Sequence, residues 1–203
     1  MRGEYVLASG NQGKLREMVR LLEPLGFVVR PQSDWQVEDA DETASTFIEN
    51  ALIKAHHAAR ITGLPTIADD SGLVVPALNG APGIYSARYA GENAVSQENI
   101  SKLLTSLNKE PGLNRSAYFF CAVVLLQSVD DPAPLVATAR WHGRILFSPQ
   151  GEGGFGYDPV FGVSDTGLSA AELSAEQKQK VSHRGQALRA LLQQLNERDA
   201  GRS

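Results

Sequence analysis

Ile67-Ala68-Asp69-Asp70-Ser71-Gly72-Leu73 sets two adjacent acids, a hydroxyl and a glycine into an apolar run that extends from Leu64 to Val75. A buried strand that ends in carboxylates needs something to offset their desolvation, and a divalent cation is the usual partner. Successive side chains on a strand point to opposite faces, so only one of Asp69 and Asp70 turns to a given cleft. The other takes backbone hydrogen bonds beneath it. Gly72 lets the chain turn and lets a ligand approach the backbone. The plainer alternative is a strand ending in an Asp-rich turn with no ligand.

Working outward, Tyr5-Val6-Leu7-Ala8 reads as a short buried strand and Ser9-Gly10-Asn11-Gln12-Gly13-Lys14 as a tight turn after it. A helix then carries Leu15, Met18, Val19 and Leu22 on one face and stops at Pro24 and Gly26. Strand, glycine-containing turn and helix N-terminus together form an anion site, with free N–H groups and the positive end of the helix dipole. Lys14 adds a mobile positive charge. This is not a Walker A loop, which spaces its glycines more widely and follows its Lys with Ser or Thr; here Leu15 follows. Phe27-Val28-Val29 reads as a second strand and Pro31 to Asp41 as a polar, acidic loop.

Thr46-Phe47-Ile48-Glu49 has capping-box form and opens a helix to about Ile61, with Ile48, Ala51, Leu52, Ala55 and Ala59 as its apolar stripe. Glu42 is either an acid favoured by that helix's dipole or a second carboxylate for a cation near Asp70. His56 and His57 lack metal-ligand partners at useful spacing and read as structural. Gly80-Ala81-Pro82-Gly83 forms a turn, and Arg88 beyond it either binds phosphate or pairs with a carboxylate. A helix from about Val95 to Leu107 is followed by a loop containing Pro111-Gly112. Two strands, Ser116–Gln127 and Leu135–Arg144, then form a long antiparallel pair that extends beyond the first lobe. With no repeats or linker-like segments, the chain reads as one domain over residues 1–203 with two lobes sharing one sheet.

The stretch Gly153-Gly154-Phe155-Gly156-Tyr157-Asp158-Pro159 places aromatics in a mobile loop. Phe155 and Tyr157 either stack on a planar ligand, worth about 1–3 kcal/mol per base in nucleic-acid systems, or anchor the loop to the core. Ser174-Ala175-Glu176-Gln177 caps a short helix carrying Lys178 and Lys180, which breaks at Ser182-His183-Arg184-Gly185. His183 and Arg184 are either a solvated cap or hydrogen-bond donors to a nucleotide. The last helix shows Leu188, Leu191, Leu192 and Leu195, and Ala200 to Ser203 fray.

Composition excludes several classes. At 203 residues, 42% hydrophobic and 21% charged, the chain has ordinary globular make-up, and a net charge of −4 gives no footprint for a nucleic-acid backbone. The N-terminus lacks a secretory apolar region, and the longest apolar run, residues 117–126, is about half the ~20 residues that span a bilayer. The single cysteine, Cys121, lies inside that run and reads as a core residue. A reducing, cytoplasmic setting with no membrane contact follows.

These pieces together resemble the Ham1/RdgB-type inosine triphosphate pyrophosphatase family, and most of all its bacterial dITP/XTP pyrophosphatase branch. The matching segments are Ser9-Gly10-Asn11-x-Gly13-Lys14, Thr46-Phe47-x-Glu49-Asn50-Ala51, Ala68-Asp69-Asp70-Ser71-Gly72-Leu73 and Gly80-x-Pro82-Gly83-x-x-Ser86-Ala87-Arg88-Tyr89. The Gly153–Pro159 stretch and Ser182-His183-Arg184-Gly185-x-Ala187 complete the set, in family order over nearly the whole chain. Ser9 stands where Thr is frequent and keeps the hydroxyl. Arg140-Trp141-His142 receives no role from the family.

The resemblance implies an α/β fold with a long mixed central sheet flanked by helices, two lobes with a cleft between them, and a homodimer. It implies Mg²⁺-dependent hydrolysis of non-standard purine nucleoside triphosphates (ITP, dITP, XTP) to the monophosphate and pyrophosphate, cleansing the nucleotide pool. By motif, Ser9, Gly10, Asn11, Gln12, Gly13, Lys14 and Lys178 hold the triphosphate. Asp70 is the catalytic acid, as metal ligand or proton acceptor, with Glu42 a second metal ligand. Ser71 contacts substrate, and Phe155, Gly156, Tyr157 and Asp158 with His183 and Arg184 hold the base. Arg has only donors, so Arg184 suits the 6-carbonyl of hypoxanthine or xanthine and not the 6-amino group of adenine. A Maf-like pyrophosphatase for modified nucleotides and a non-catalytic nucleotide-binding module are the alternatives; Asp69, Asp70, Lys14 and Lys178 argue against the second.

Overall fold

The computed structural model describes residues 3–109, 112–164 and 166–201. Its elements run β1 (Glu4–Ala8), α1 (Gln12–Leu22), β2 (Val28–Pro31), α2 (Phe47–Thr62), β3 (Thr66–Val74) and α3 (Ser96–Asn108). There follow β4 (Ser116–Leu126), β5 (Leu135–Ile145), β6 (Phe161–Val163), α4 (Ala175–Val181) and α5 (His183–Ala200). The strands form a mixed six-stranded sheet in the order β2-β1-β3-β4-β5-β6, as expected. β1 pairs in parallel with both β2 and β3, setting Leu7 beside Ile67 and Ala8 beside Ala68. Parallel neighbours need crossover connections, and α1 and α2 lie in them. β5 and β6 run antiparallel, with Gly143 opposite Val163. The sequence reading omits β6, whose 3 residues are too few to show alternation.

The chain divides into two compact units: Met1–Asp70, Cys121–Ala139 and Arg184–Ser203 in the first, Ser71–Phe120 and Arg140–His183 in the second. Each has its own core. In the first, Leu7 and Ile67 bury with Leu15 and Met18 of α1 and Leu188 and Leu191 of α5. In the second, Leu73 and Ile100 bury with Leu103, Phe119, Trp141 and Phe161. Two of the four crossings cut through chemistry-bearing motifs, between Asp70 and Ser71 and between His183 and Arg184.

Local sequence explains most boundaries. Thr46 caps α2, its Oγ1 accepting from the Glu49 N–H at 3.2 Å and donating to Glu49 Oε2 at 2.6 Å. Such a cap is worth about 1 kcal/mol. Ser182 separates α4 from α5 in extended conformation, as the motif there suggested. Two expectations need correcting. β3 does not end at its acids: it continues to Val74, and Gly72 is a strand residue rather than a turn. Leu73 and Val75 are fully buried and carry the apolar run onward. On α2 the buried face is Asn50, Ala51, Ala55, Ala58 and Ala59, while Ile48 is 38% exposed. Alanines give a helix little apolar contrast, so tertiary contacts set its rotation.

Pro111 of the expected loop and the fraying expected at Arg202 and Ser203 fall outside the described residues; Ala200 is helical. No helix among the described residues is long and apolar enough to cross a membrane.

Candidate active site

In the first unit, the alternation of β3 sends its adjacent acids to different partners. Asp69 is fully buried, and its Oδ2 accepts from Arg184 Nε at 3.2 Å and lies 3.6 Å from Lys14 Nζ. The Arg184 guanidinium, itself 2% exposed, also donates to Glu17 of α1. Burial pushes the Asp69 carboxyl upward, but the charges of Lys14, Arg184 and Lys54 outweigh it and hold the group far below the usual carboxylate range. Cations compensate the group expected to take backbone hydrogen bonds. A carboxylate this deep without opposite charge would be untenable.

Asp70 meets α2 instead. Its Oδ1 is 3.2 Å from Lys54 Nζ and 4.0 Å from Lys14 Nζ, and Lys54 Nζ also donates to Glu42 Oε1 at 2.6 Å. Burial pushes the Asp70 carboxyl above its ordinary value; Lys54 and Lys14 oppose that shift, and Glu42 and Asp69 add to it. For Lys54, burial lowers the ammonium pKa, yet Asp70, Asp69 and Glu42 together raise it above the ordinary lysine value. The result is a carboxylate of raised basicity beside two ammonium groups, the kind of perturbed cluster found at catalytic sites.

The turn after β1 is more self-contained than expected. Asn11 Oδ1 accepts from the Gly13 N–H at 2.9 Å and the Lys14 N–H at 3.1 Å, and Ser9 Oγ accepts from the Asn11 N–H at 3.2 Å. Part of the N–H array expected to receive an anion therefore serves the cap of α1, which opens at Gln12 and Gly13. Lys14 and the helix dipole remain to attract one.

The donor set suits a hard divalent cation. Glu42 Oε1 and Asp70 Oδ1 converge on a single ammonium, so this point already favours positive charge and offers oxygen ligands. Among the described residues, no group of three His, Cys, Asp or Glu forms a complete metal cage. Mg²⁺ commonly takes one or two carboxylates and fills its shell with water and phosphate oxygens, a mode these residues fit.

In the second unit, Lys178 Nζ donates to Asp158 Oδ2 at 2.6 Å and lies 4.8 Å from the centroid of the Phe155 ring. The Phe155 N–H donates to the same Asp158 oxygen at 2.8 Å. Gly154 has φ of +71°, and a side chain there would run into the Asp158 carboxylate, so the loop closes on Asp158 only with glycine at this position. Gly156 is also left-handed, with φ of 61°. The buried Tyr157 donates its hydroxyl to Ser86 O at 2.9 Å, which makes it an anchor of the loop. Burial raises that phenol's pKa. His183 stacks on Phe119, with ring centroids 4.8 Å apart and planes 13° apart. Ser71 is half-buried at the unit's first position.

The structure thus joins Lys14, Glu42 and Asp70 in one cluster, and Phe155, Asp158 and Lys178 in another. Lys54 links the first cluster and Glu17 holds Arg184; the sequence reading gave neither a role. Lys54 follows buried Asn50 by one helical turn, and that i, i+4 polar pair was the available signal. His56 and His57 contact backbone carbonyls, and Cys121 is buried with its thiol pKa pushed up by burial, all structural as expected. Arg88 approaches Glu92 at 3.7 Å and lies over the Tyr85 ring.

Comparison with known proteins adds independent findings. The family model described as the Ham1 family matches residues 5–194. The dITP/XTP pyrophosphatase of Vibrio cholerae is 55% identical over 194 residues, covering 96% of this chain and 97% of its own length. That of Idiomarina loihiensis is 56% identical over 194 residues, covering 94% and 96%. The solved structure of a HAM1 protein from Coxiella burnetii is 50% identical with a TM-score of 0.89, covering 97% of this chain and 100% of that one.

Proposed function

The chain belongs to the Ham1 family, and from that membership and the Asp70 cluster we propose a nucleoside triphosphate pyrophosphatase that hydrolyses ITP, dITP and XTP to the monophosphate and pyrophosphate. The observation that carries this reading is the buried Asp70 carboxylate beside Glu42, Lys54 and Lys14. A triphosphate brings several negative charges to a site that already holds carboxylates. Glu42 and Asp70 would hold Mg²⁺, which when bound neutralises phosphate charge and polarises the phosphoryl group under attack.

The chain's own residues do the rest. One Asp70 oxygen would serve the cation, and the other would accept the proton of the attacking water. Lys54 and Lys14 set their ammonium groups against the phosphates, and Lys14 with the N-terminus of α1 stabilises charge growing on the pyrophosphate leaving group. Ser9 to Gly13 line the triphosphate. Ser71 contacts the substrate, and Phe155, Gly156 and Asp158 with His183 hold the base, on a loop that Tyr157 anchors. Lys178 reaches a phosphate by exchanging its Asp158 partner, and Arg184 reads a 6-carbonyl only by leaving Asp69 and Glu17. We propose that the enzyme works in the cytoplasm as a homodimer without nucleic-acid partners.

Pyrophosphate release from ITP, dITP, XTP, ATP, GTP and modified pyrimidine triphosphates, with and without Mg²⁺, tests the reading. Mg²⁺-dependent release, fastest on inosine and xanthosine nucleotides, is expected. Faster turnover of modified pyrimidine nucleotides would favour a Maf-like activity, and binding without turnover a non-catalytic module.

A further inference from the structure

We propose that Asp39 is a specificity-determining residue at the turn after β1, one that turns away polyphosphates arriving without a divalent cation. The proposal rests on the reading that Ser9 to Lys14 hold phosphate. Gln32, 5% exposed, donates from Nε2 to Asp39 Oδ1 at 2.6 Å and so fixes the carboxylate in place. The fixed group lies across Gly10: a Cβ at that position would overlap Asp39 Oδ2, and its other close neighbours are Cγ and Oδ1 of the same carboxylate. Gly10 has no left-handed backbone conformation, so room for Asp39 is what its lack of a side chain provides.

A turn assigned to anions therefore carries a held negative charge against its own backbone. Lys14 lies toward Asp69 and Asp70, at 3.6 and 4.0 Å. A bare polyphosphate nearing Gly10 meets like charge at contact range, at an exposed position of the turn. A polyphosphate complexed with a divalent cation carries less charge and presents an ion that a carboxylate attracts. Asp39 thereby discriminates between the two forms of one ligand.

Calorimetric titration of the full chain with inorganic pyrophosphate, with and without Mg²⁺, tests this on wild type, Asp39→Asn and Lys14→Gln. Asparagine keeps an acceptor for Gln32 and removes only the charge. Asp39→Asn should bind metal-free pyrophosphate about 5–10-fold tighter, while affinity for the Mg²⁺ complex changes by less than about twofold. A purely structural Asp39 would not move one form without the other. Unchanged or weaker metal-free binding, or equal tightening of both forms, overturns the proposal. Lys14→Gln should weaken the Mg²⁺ complex by about tenfold. If it does and Asp39→Asn behaves as wild type, only the Asp39 proposal falls; if Lys14→Gln binds as wild type, the phosphate reading of the turn falls and takes the proposal with it.

Discussion

The two units treat buried charge differently. In the first, Asp69 and Asp70 share Lys14, Lys54 and Arg184, and each of these cations touches a second carboxylate. In the second, Asp158 meets Lys178 within a unit whose core contains an aromatic cluster, with Phe119, Trp141, Phe161 and His183 stacked or tilted on one another. A shared network lets one cation move toward a new anion while the others keep the carboxylates compensated. A buried pair in which one ammonium faces one carboxylate loses its main compensation when either partner goes. On the proposed function, the first arrangement would serve chemistry on phosphates and the second would form a wall for a base.

Removing the Asp70 charge should separate function from stability most sharply. Asp70→Asn is expected to slow turnover about a thousandfold, or ~4 kcal/mol of transition-state stabilisation. Its stability should not fall. Burial raises the carboxyl pKa, so folding penalises the charged form relative to the protonated one; that contribution is full below the unfolded pKa near ~4 and is lost as pH rises through the folded value. At neutral pH the asparagine variant should therefore melt at or above the wild-type temperature. A variant that is inactive because it is unfolded would break the contrast.

Asp69 should behave in the opposite sense. Asp69→Asn leaves Arg184 without its inner partner and should destabilise the fold by about 3 kcal/mol near neutrality. Because Lys14, Arg184 and Lys54 overcome burial and depress the Asp69 pKa, its contribution is present above the unfolded value of about 4 and fades as pH falls below it. Denaturant melts of the two proteins should converge in acid. A gap that stays constant with pH would remove the ionised carboxylate as its cause.

How much of this could be read beforehand depended on whether partners were local. The cap at Thr46, the break at Ser182 and the helix after Ser9-Gly10 are set by neighbours in sequence, and they were legible. The motif residues Lys14, Glu42 and Asp70 were legible as candidates, though not the ammonium of Lys54 that joins two of them. Arg184 meets Asp69 across 115 positions of sequence, and no periodicity announces such a contact. The rotation of α2 was missed because alanine-rich faces look alike from sequence. The glycine-rich Gly153–Tyr157 stretch suggested mobility, whereas Tyr157 pins it through Ser86.

The smallest effects test the reserve argument itself. Lys178→Met should cost about 2–3 kcal/mol of stability, since the buried Asp158 carboxylate then loses its ammonium partner at 2.6 Å. Lys14→Met should cost about 1 kcal/mol or less, since Arg184 and Lys54 remain with the acids. Equal losses in paired thermal melts would show that the first unit has no more reserve than the second.

The most direct test follows Mn²⁺, standing in for Mg²⁺, by electron paramagnetic resonance as it binds the full chain together with a non-hydrolysable dITP analogue. Asp70→Asn and Glu42→Gln should each weaken that binding by about tenfold or more, while Lys180→Met, at an exposed pair with Glu176, leaves it within about twofold. Mn²⁺ held as tightly by Asp70→Asn as by the wild-type chain would contradict the account.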